Sequence, residues 1–210
     1  MARSAGDPDT LVRVRRCPDL SVDALDALVR RLPTVERSRV AALLRREDRL
    51  ASALGWVLMQ DLTAGRGAPL RRGPDGRPRT DPPLDVSMSH SGGWVAAALS
   101  AAGRVGIDLE TVRPVSPSLV RRCLSPPELS WVDEVPAGPA WHHRFFRLWT
   151  AKEAFLKATG AGLGQDPRTV GVDCSGAAPA LLGELAGSWT LTSTSPARDV
   201  LVTVCTERPA

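Results

Sequence analysis

Val105-Gly106-Ile107-Asp108-Leu109-Glu110 has the pattern of a β-strand with two unlike faces. Side chains two apart on a strand share a face, so Ile107 and Leu109 are predicted to face the core while Asp108 and Glu110 project together, their Cα atoms roughly 6 to 7 Å apart. Two carboxylates so placed repel unless a cation or basic partner stands between them. The alternative is a strand edge with solvated carboxylates.

The turn signal Ala102-Gly103 precedes this stretch, and before it come two short apolar runs, Val86 to Met88 and Trp94 to Leu99, whose length favours strands. Further upstream, Gly65 to Pro83 is rich in Gly, Pro and Arg and reads as a surface loop. Three helices are predicted before it. The first carries Val22, Leu25, Leu28, Val29 and Leu32 at helical spacing with Ser21 as N-cap, the second runs from Val35 to Arg46, and the third from Asp48 to Leu62. Downstream, Ser125-Pro126-Pro127-Glu128 has the form of a capping box, and a longer helix from His143 to Thr159 is predicted to close on Gly160. The tail offers strands at Val170 to Asp173, Trp189 to Ser193 and Val200 to Thr203. Helices followed by strands thus occur twice, which gives an α+β chain whose second half begins near Val105.

Composition narrows the function classes. A chain of 210 residues with 43% hydrophobic residues can bury a core, and no stretch reaches the roughly 20 apolar residues of a membrane span. Met1 to Asp9 lacks the apolar core of a signal peptide, so a cytoplasmic location is expected. Cys17, Cys123, Cys174 and Cys205 lie far apart without metal-ligand spacing and read as reduced and structural. The net charge of +4 suits an anionic ligand or acidic partner. A nucleic-acid module is disfavoured, because three Phe and no Tyr leave few stacking platforms and the arginines are dispersed. Of 27 basic residues 25 are arginine, yet the two lysines, Lys152 and Lys157, sit within one short stretch. Such clustering marks positions that need a compact ammonium instead of a guanidinium fork.

Two more segments carry candidate chemistry. Trp149-Thr150-Ala151-Lys152-Glu153-Ala154-Phe155-Leu156-Lys157 lies on the predicted long helix, with Phe145, Leu148, Trp149 and Leu156 as its buried stripe. Glu153 and Lys157 are four apart on a neighbouring face, where a plain ion pair is the competing reading. Ser87-Met88-Ser89-His90-Ser91-Gly92-Gly93 brings hydroxyls, an imidazole and glycines to a strand exit, a combination suited to cradling phosphate. His142 and His143 have no paired ligand and are taken as structural.

Together, in this order and spacing, the Ser89-His90-Ser91, Gly106–Glu110 and Trp149–Lys157 segments resemble the 4′-phosphopantetheinyl transferase superfamily, in its longer, pseudo-duplicated branch typified by the enzyme that activates surfactin synthetase. The resemblance is clear over residues 76 to 160. It implies two α/β halves, 1–104 and 105–210, packed side by side with the active site at their interface, the first contributing coenzyme A nucleotide contacts and the second the metal strand and catalytic helix. It implies transfer of the phosphopantetheine arm of coenzyme A to a serine of an acidic apo acyl or peptidyl carrier protein, by a cytoplasmic monomer. Asp108, Glu110 and Glu153 would bind Mg²⁺, Glu153 would act as base directly or through a water, and Lys157 would meet the diphosphate. Lys152 would line the site, and Ser89, His90, Arg77, Arg39 and Ser52 would contact the nucleotide and its phosphates. Glu36 departs from the family by standing near a position often basic. Thr111 to Leu124, with Arg113, Arg121 and Arg122 beside Val115, Leu119, Val120 and Leu124, would dock the carrier, an ordinary amphipathic helix being the alternative. A different Mg²⁺-dependent phosphotransferase or phosphohydrolase, and a non-catalytic basic binding module, are the competing functions.

Overall fold

The computed structural model describes residues 9–64 and 66–208; most of the Met1 to Asp9 segment, and Gly65 at the head of the predicted loop, lie outside the described residues. The first half runs β1 (Thr10–Arg16), α1 (Val22–Arg30), α2 (Thr34–Ala41), α3 (Arg46–Thr63), β2 (Arg71–Arg72), β3 (Pro78–Arg79), β4 (Asp85–Ser91) and β5 (Trp94–Ser100). The second runs β6 (Val105–Thr111), α4 (Pro117–Cys123), α5 (Pro126–Asp133), α6 (Pro139–Thr159), β7 (Val172–Asp173), β8 (Ala180–Leu181), a short α7 (Leu185–Ser188), β9 (Trp189–Ala197) and β10 (Val200–Glu207). Apart from α7 and two short 3₁₀ turns, the order strand, three helices, small hairpin, two strands occurs twice. The sheets repeat as well: β1-β5-β4 and β6-β10-β9 are both antiparallel, each with its half's last strand in the centre.

The two sheets stack face to face. Val12, Val14, Ala96 and Ala98 of the first meet Val105, Ile107, Leu109, Val200, Val202 and Val204 of the second. Helix α3 covers the outer face of the first sheet through Ala53, Trp56 and Met59 against Val86, Val95, Ala97 and Leu99. Helix α6 covers the other through Phe155, Leu156 and their neighbours against Leu201 and Cys205. The period-two alternation in each strand thus feeds two apolar layers at once, making four layers in all.

Local signals set most element ends. Ser21 caps α1 by accepting from Ala24 N at 3.2 Å, and Ser125 with Glu128 forms the predicted capping box of α5. Gly160 ends α6 at φ 76°, as expected of a C-terminal glycine. Helix α6 begins at Pro139, four residues before the predicted start, because proline is tolerated at a first helical position and Trp141 is held by its Nε1 donating to Asp133 at 2.9 Å. Helix α2 stops at Ala41, short of the predicted Arg46, where Arg49 reaches back to donate to the carbonyls of Leu43 and Ala41 at 2.7 and 3.2 Å. Strand β1 was not predicted, its alternating arginines having masked the Leu11, Val12 and Val14 pattern. All four cysteines are free; burial pushes the Cys174 and Cys205 thiols up to about 12.

No backbone ladder joins β4 to β6. They run parallel instead, bridged by side chains at every second residue of β4. Asp85 accepts from Val105 N at 2.9 Å, Ser87 from Ile107 N at 3.1 Å and Ser91 from Thr111 N at 3.3 Å. This seam between the halves is where the singled-out residues collect.

Candidate active site at the seam

Gly106 determines how closely α6 can lie on β6. A Cβ there would stand 1.9 Å from the Ala154 carbonyl oxygen and 2.4 Å from Ala158 N, so only glycine allows the approach. Asp108 and Glu110 share the face of β6 that carries Gly106, and the close approach brings them under Glu153 and Lys157 of α6.

Lys157 Nζ donates to Asp108 Oδ1 at 2.7 Å and to Ser89 Oγ at 2.9 Å, while Ser89 Oγ itself donates to Asp108 Oδ1 at 2.8 Å. The lysine pairs with this strand carboxylate and not with Glu153, so the plain helical ion pair is not formed. One position along the seam, Ser91 Oγ donates to Glu110 Oε2 at 2.6 Å, and Arg113 reaches the same oxygen at 2.7 Å. Asp108 is buried, and its Oδ2 has no hydrogen-bond partner. An orphaned anionic oxygen in a buried site is costly without a partner. Burial, then the charges of Asp108 and Glu110, raise the Glu153 carboxyl above its ordinary 4.5, with Lys157 opposing.

Among the described residues no group of three or more His, Cys, Asp or Glu side chains stands close enough together to hold a metal ion. The donor set nevertheless fits a hard divalent cation: three oxygen-bearing acids that feel one another's charge, one with an unused buried oxygen.

His90 is exposed at the end of β4. Desolvation by the surrounding protein lowers its imidazole pKa, and the charges acting on it are Asp48, Lys157, Arg39 and Glu110. A second cluster stands in the first half, where Arg39 donates to Ser52 Oγ at 2.7 Å. Glu36 organises that cluster. Only 2% exposed, it takes a bidentate fork from Arg72 at 2.8 and 2.5 Å and a longer contact from Arg39 at 3.5 Å, with Arg72 packed over the Trp56 ring. The acid near an expected basic position thus works as an internal counter-ion that gathers arginines.

One expectation is corrected by the structure. Lys152 does not line the site: it is 0% exposed, its ammonium paired with Glu128 at 2.7 Å and donating to the Pro167 and Val170 carbonyls at 2.8 Å each. Five positions separate the two lysines along the helix, so they leave it on different faces. Ser89 faces Asp108 and Lys157, leaving its hydroxyl committed within the seam. Gly92 and Gly93, at φ 56° and 78°, form the two-residue turn of the β4–β5 hairpin, with Gly92 tucked against Thr111.

Arg77 turns inward as well, bonding Asp85, the Val105 carbonyl and the Lys157 carbonyl. It borders a cavity of about 450 Å³ whose wall includes Gly76, Pro78, Ser87, Met88, Leu156 and Lys157. Of the segment after β6, Val120 and Leu124 are core while Leu119, Arg121 and Arg122 are exposed on α4. His142 accepts from Val115 N at 3.4 Å through Nδ1, in keeping with a structural role. Ser91 and Arg72 were missed. The period-two serines Ser87, Ser89 and Ser91 were the signal for the first; nothing local marked the second, which meets Glu36 across 36 residues of sequence.

Residues 104–205 match the model of the 4′-phosphopantetheinyl transferase superfamily. The chain is similar to 4′-phosphopantetheinyl transferase psf-1 of Bacillus pumilus, 37% identical over 48% of this chain and 40% of that one. It is similar to the transferase HetI of Nostoc, 40% identical over 38% of this chain and 34% of that one. A wider match, to the transferase pptA of Paxillus involutus, is 29% identical over 75% of this chain and 72% of that one. The first two matches span less than half the length of those relatives. No helix among the described residues is long and apolar enough to cross a membrane.

Proposed function

We propose that this chain, whose residues 104–205 match the model of the 4′-phosphopantetheinyl transferase superfamily, moves the 4′-phosphopantetheine arm of coenzyme A onto a serine of an apo carrier protein and releases 3′,5′-ADP. The observation that carries the reading is the seam triangle of Ser89, Asp108 and Lys157 beneath Glu153, with Asp108 Oδ2 left unpartnered.

Asp108, Glu110 and Glu153 would hold Mg²⁺. When bound, the ion neutralises the diphosphate and polarises the phosphorus under attack. The carrier serine Oγ forms a bond to the β-phosphorus as the bond from that phosphorus to the bridging oxygen breaks, and 3′,5′-ADP departs with the bridging oxygen. Glu153, with its raised proton affinity, takes the serine proton. Lys157 meets the charge that gathers on the leaving oxygen, in a partly buried setting that strengthens the interaction. Ser89 and Ser91 fix the two strand carboxylates so that they need not reorganise. His90, Arg39 and Ser52 lie toward the first half, where the nucleotide phosphates bind, and the exposed Leu119, Arg121 and Arg122 suit an acidic carrier with a small apolar patch. A monomer is expected, since one chain supplies both sides of the seam.

Incubating the protein with coenzyme A, Mg²⁺ and a panel of apo carriers, followed by intact-mass measurement, tests the proposal. A phosphopantetheinyl mass gain on a carrier serine is expected. No gain on any carrier, or cleavage of coenzyme A with no gain, would point to another phosphotransferase or phosphohydrolase.

A further inference from the structure

The three acceptors of Arg77 belong to three different elements of the seam. Its guanidinium donates to the carbonyl of Lys157 in the last turn of α6, to the carbonyl of Val105 at the start of β6 at 3.0 Å, and to Asp85 of β4 at 3.1 Å. Asp85 in turn accepts from Val105 N, so one arginine and one aspartate close a small ring around the point where β6 leaves the turn between the halves. Only 19% of the Arg77 side chain is exposed. Turning it outward to a ligand would strip donors from two backbone carbonyls at once.

The last turn of a helix leaves its carbonyls without intrahelical donors, and cations are favoured there. In α6 those carbonyls are met from outside. Arg77 takes Lys157, Arg104 takes the Thr159 carbonyl at 2.9 Å, and both guanidinium groups flank Gly160. The backbone that Arg77 grips is the backbone of the residue whose ammonium lies 2.7 Å from Asp108.

We infer that Arg77 is a positioning residue: it sets the last turn of α6, and with it the Lys157 ammonium, against β6. The inference rests on the transferase reading for its kinetic consequence but not for its structural one. Substituting a side chain that grips the nucleotide raises KM for coenzyme A, whereas a misplaced Lys157 forfeits stabilisation made as the leaving oxygen gains charge and so lowers kcat.

The test measures Arg77→Gln, Arg77→Lys and Arg104→Gln by steady-state transfer, together with hydrogen exchange of the Gly160 amide, which donates to the Lys157 carbonyl at 3.3 Å. Arg77→Gln is expected to lower kcat on the order of tenfold to a hundredfold, with KM for coenzyme A nearly unchanged and Gly160 exchange accelerated. Arg77→Lys should recover part of kcat, and Arg104→Gln should change it less. A raised KM with kcat intact overturns the inference, as does unchanged Gly160 exchange in Arg77→Gln. Should the wild-type protein transfer nothing to any carrier, the transferase reading fails, and Gly160 exchange still decides whether Arg77 holds the turn.

Discussion

The two halves share an element order but carry opposite charge on their first strands. Strand β1 reads Leu11-Val12-Arg13-Val14-Arg15 where β6 reads Gly106-Ile107-Asp108-Leu109-Glu110, and the valines of one and the apolar residues of the other both enter the layer between the sheets. Arg13 and Arg15 therefore occupy the register positions of Asp108 and Glu110. A second acidic centre is thereby ruled out at the equivalent place in the first half. The third residues of α2 and α5 preserve a similarity instead: Glu36 and Glu128 are both buried, and each is paired with a cation from another element. Their difference follows from the residue that precedes each helix. Ser125 offers Glu128 a backbone N–H at 2.7 Å, while Pro33 in the matching place has none, and both oxygens of Glu36 go to Arg72. One repeat keeps its buried acid as a cap, and the other uses it to gather arginines.

Removing the charge that distinguishes the halves should have the largest effect. Asp108→Asn with Glu110→Gln is expected to cut transfer by about a thousandfold or more, read by intact mass of the carrier, with the fold kept by circular dichroism. Activity within tenfold of wild type would break the contrast.

The buried ion pairs come next. Lys152→Met leaves Glu128 facing an apolar group and should cost about 3 to 5 kcal/mol in urea unfolding, most of it recovered in the double variant with Glu128→Gln. Arg72→Met should cost less, because Arg39 still reaches Glu36 and Arg72 is 12% exposed where Lys152 is fully buried. Equal costs would mean that the two pairs are not set apart by burial.

A third comparison uses glycine. Gly106→Ala must push against the backbone of α6 and is expected to cost about 1 to 3 kcal/mol or more. Gly55→Ala on α3 clashes with the Met88 side-chain tip, at 2.2 Å, which can turn away, and otherwise meets Val95 at an ordinary contact distance. Melting temperatures should therefore fall further for Gly106→Ala than for Gly55→Ala.

The smallest expected effect is electrostatic. In metal-free protein the Glu153 carboxyl holds its proton more tightly than in the unfolded chain, so the native state binds more protons and stability falls as pH rises from 4.5 through the raised folded value. Glu153→Gln should therefore raise the metal-free melting temperature at pH 7 by roughly 2 °C, with the difference vanishing toward pH 4.5. A variant that melts lower at pH 7 would show that Glu153 is not under repulsion.

Period and capping were legible in the sequence: the β6 alternation, the Ser125 box and the Gly160 stop read correctly, as did Phe145, Leu148 and Leu156 of the α6 stripe, while Trp149 is only half-buried. So did the company of Asp108, Glu110, Glu153 and Lys157, because a strand pair and a helix pair declare their faces locally. What did not read was orientation set by distant partners. Lys152 and Lys157 look alike in composition, yet one answers Glu128 and the other Asp108, and only the packing of α6 against two different elements decides between them. Arg77 and Ser89 were expected to turn toward a ligand because most of the acceptors that hold them, Val105, Lys157 and Asp108, are on the opposite half. Strand β1 escaped because its exposed alternate positions are arginines, which dilute a short apolar period.

Half of the seam bonds between β4 and β6 run from a backbone amide to a hydroxyl or carboxylate, and the rest are made by side-chain hydroxyls. Only residues 101–104 lie between β5 and β6, so the halves cannot drift apart when those bonds let go. A short tether of this kind holds its ends at an effective concentration in the millimolar range or above. The chain is in this sense a dimer without a dissociation constant, in which dilution has no hold on the site and one partner was free to change sign.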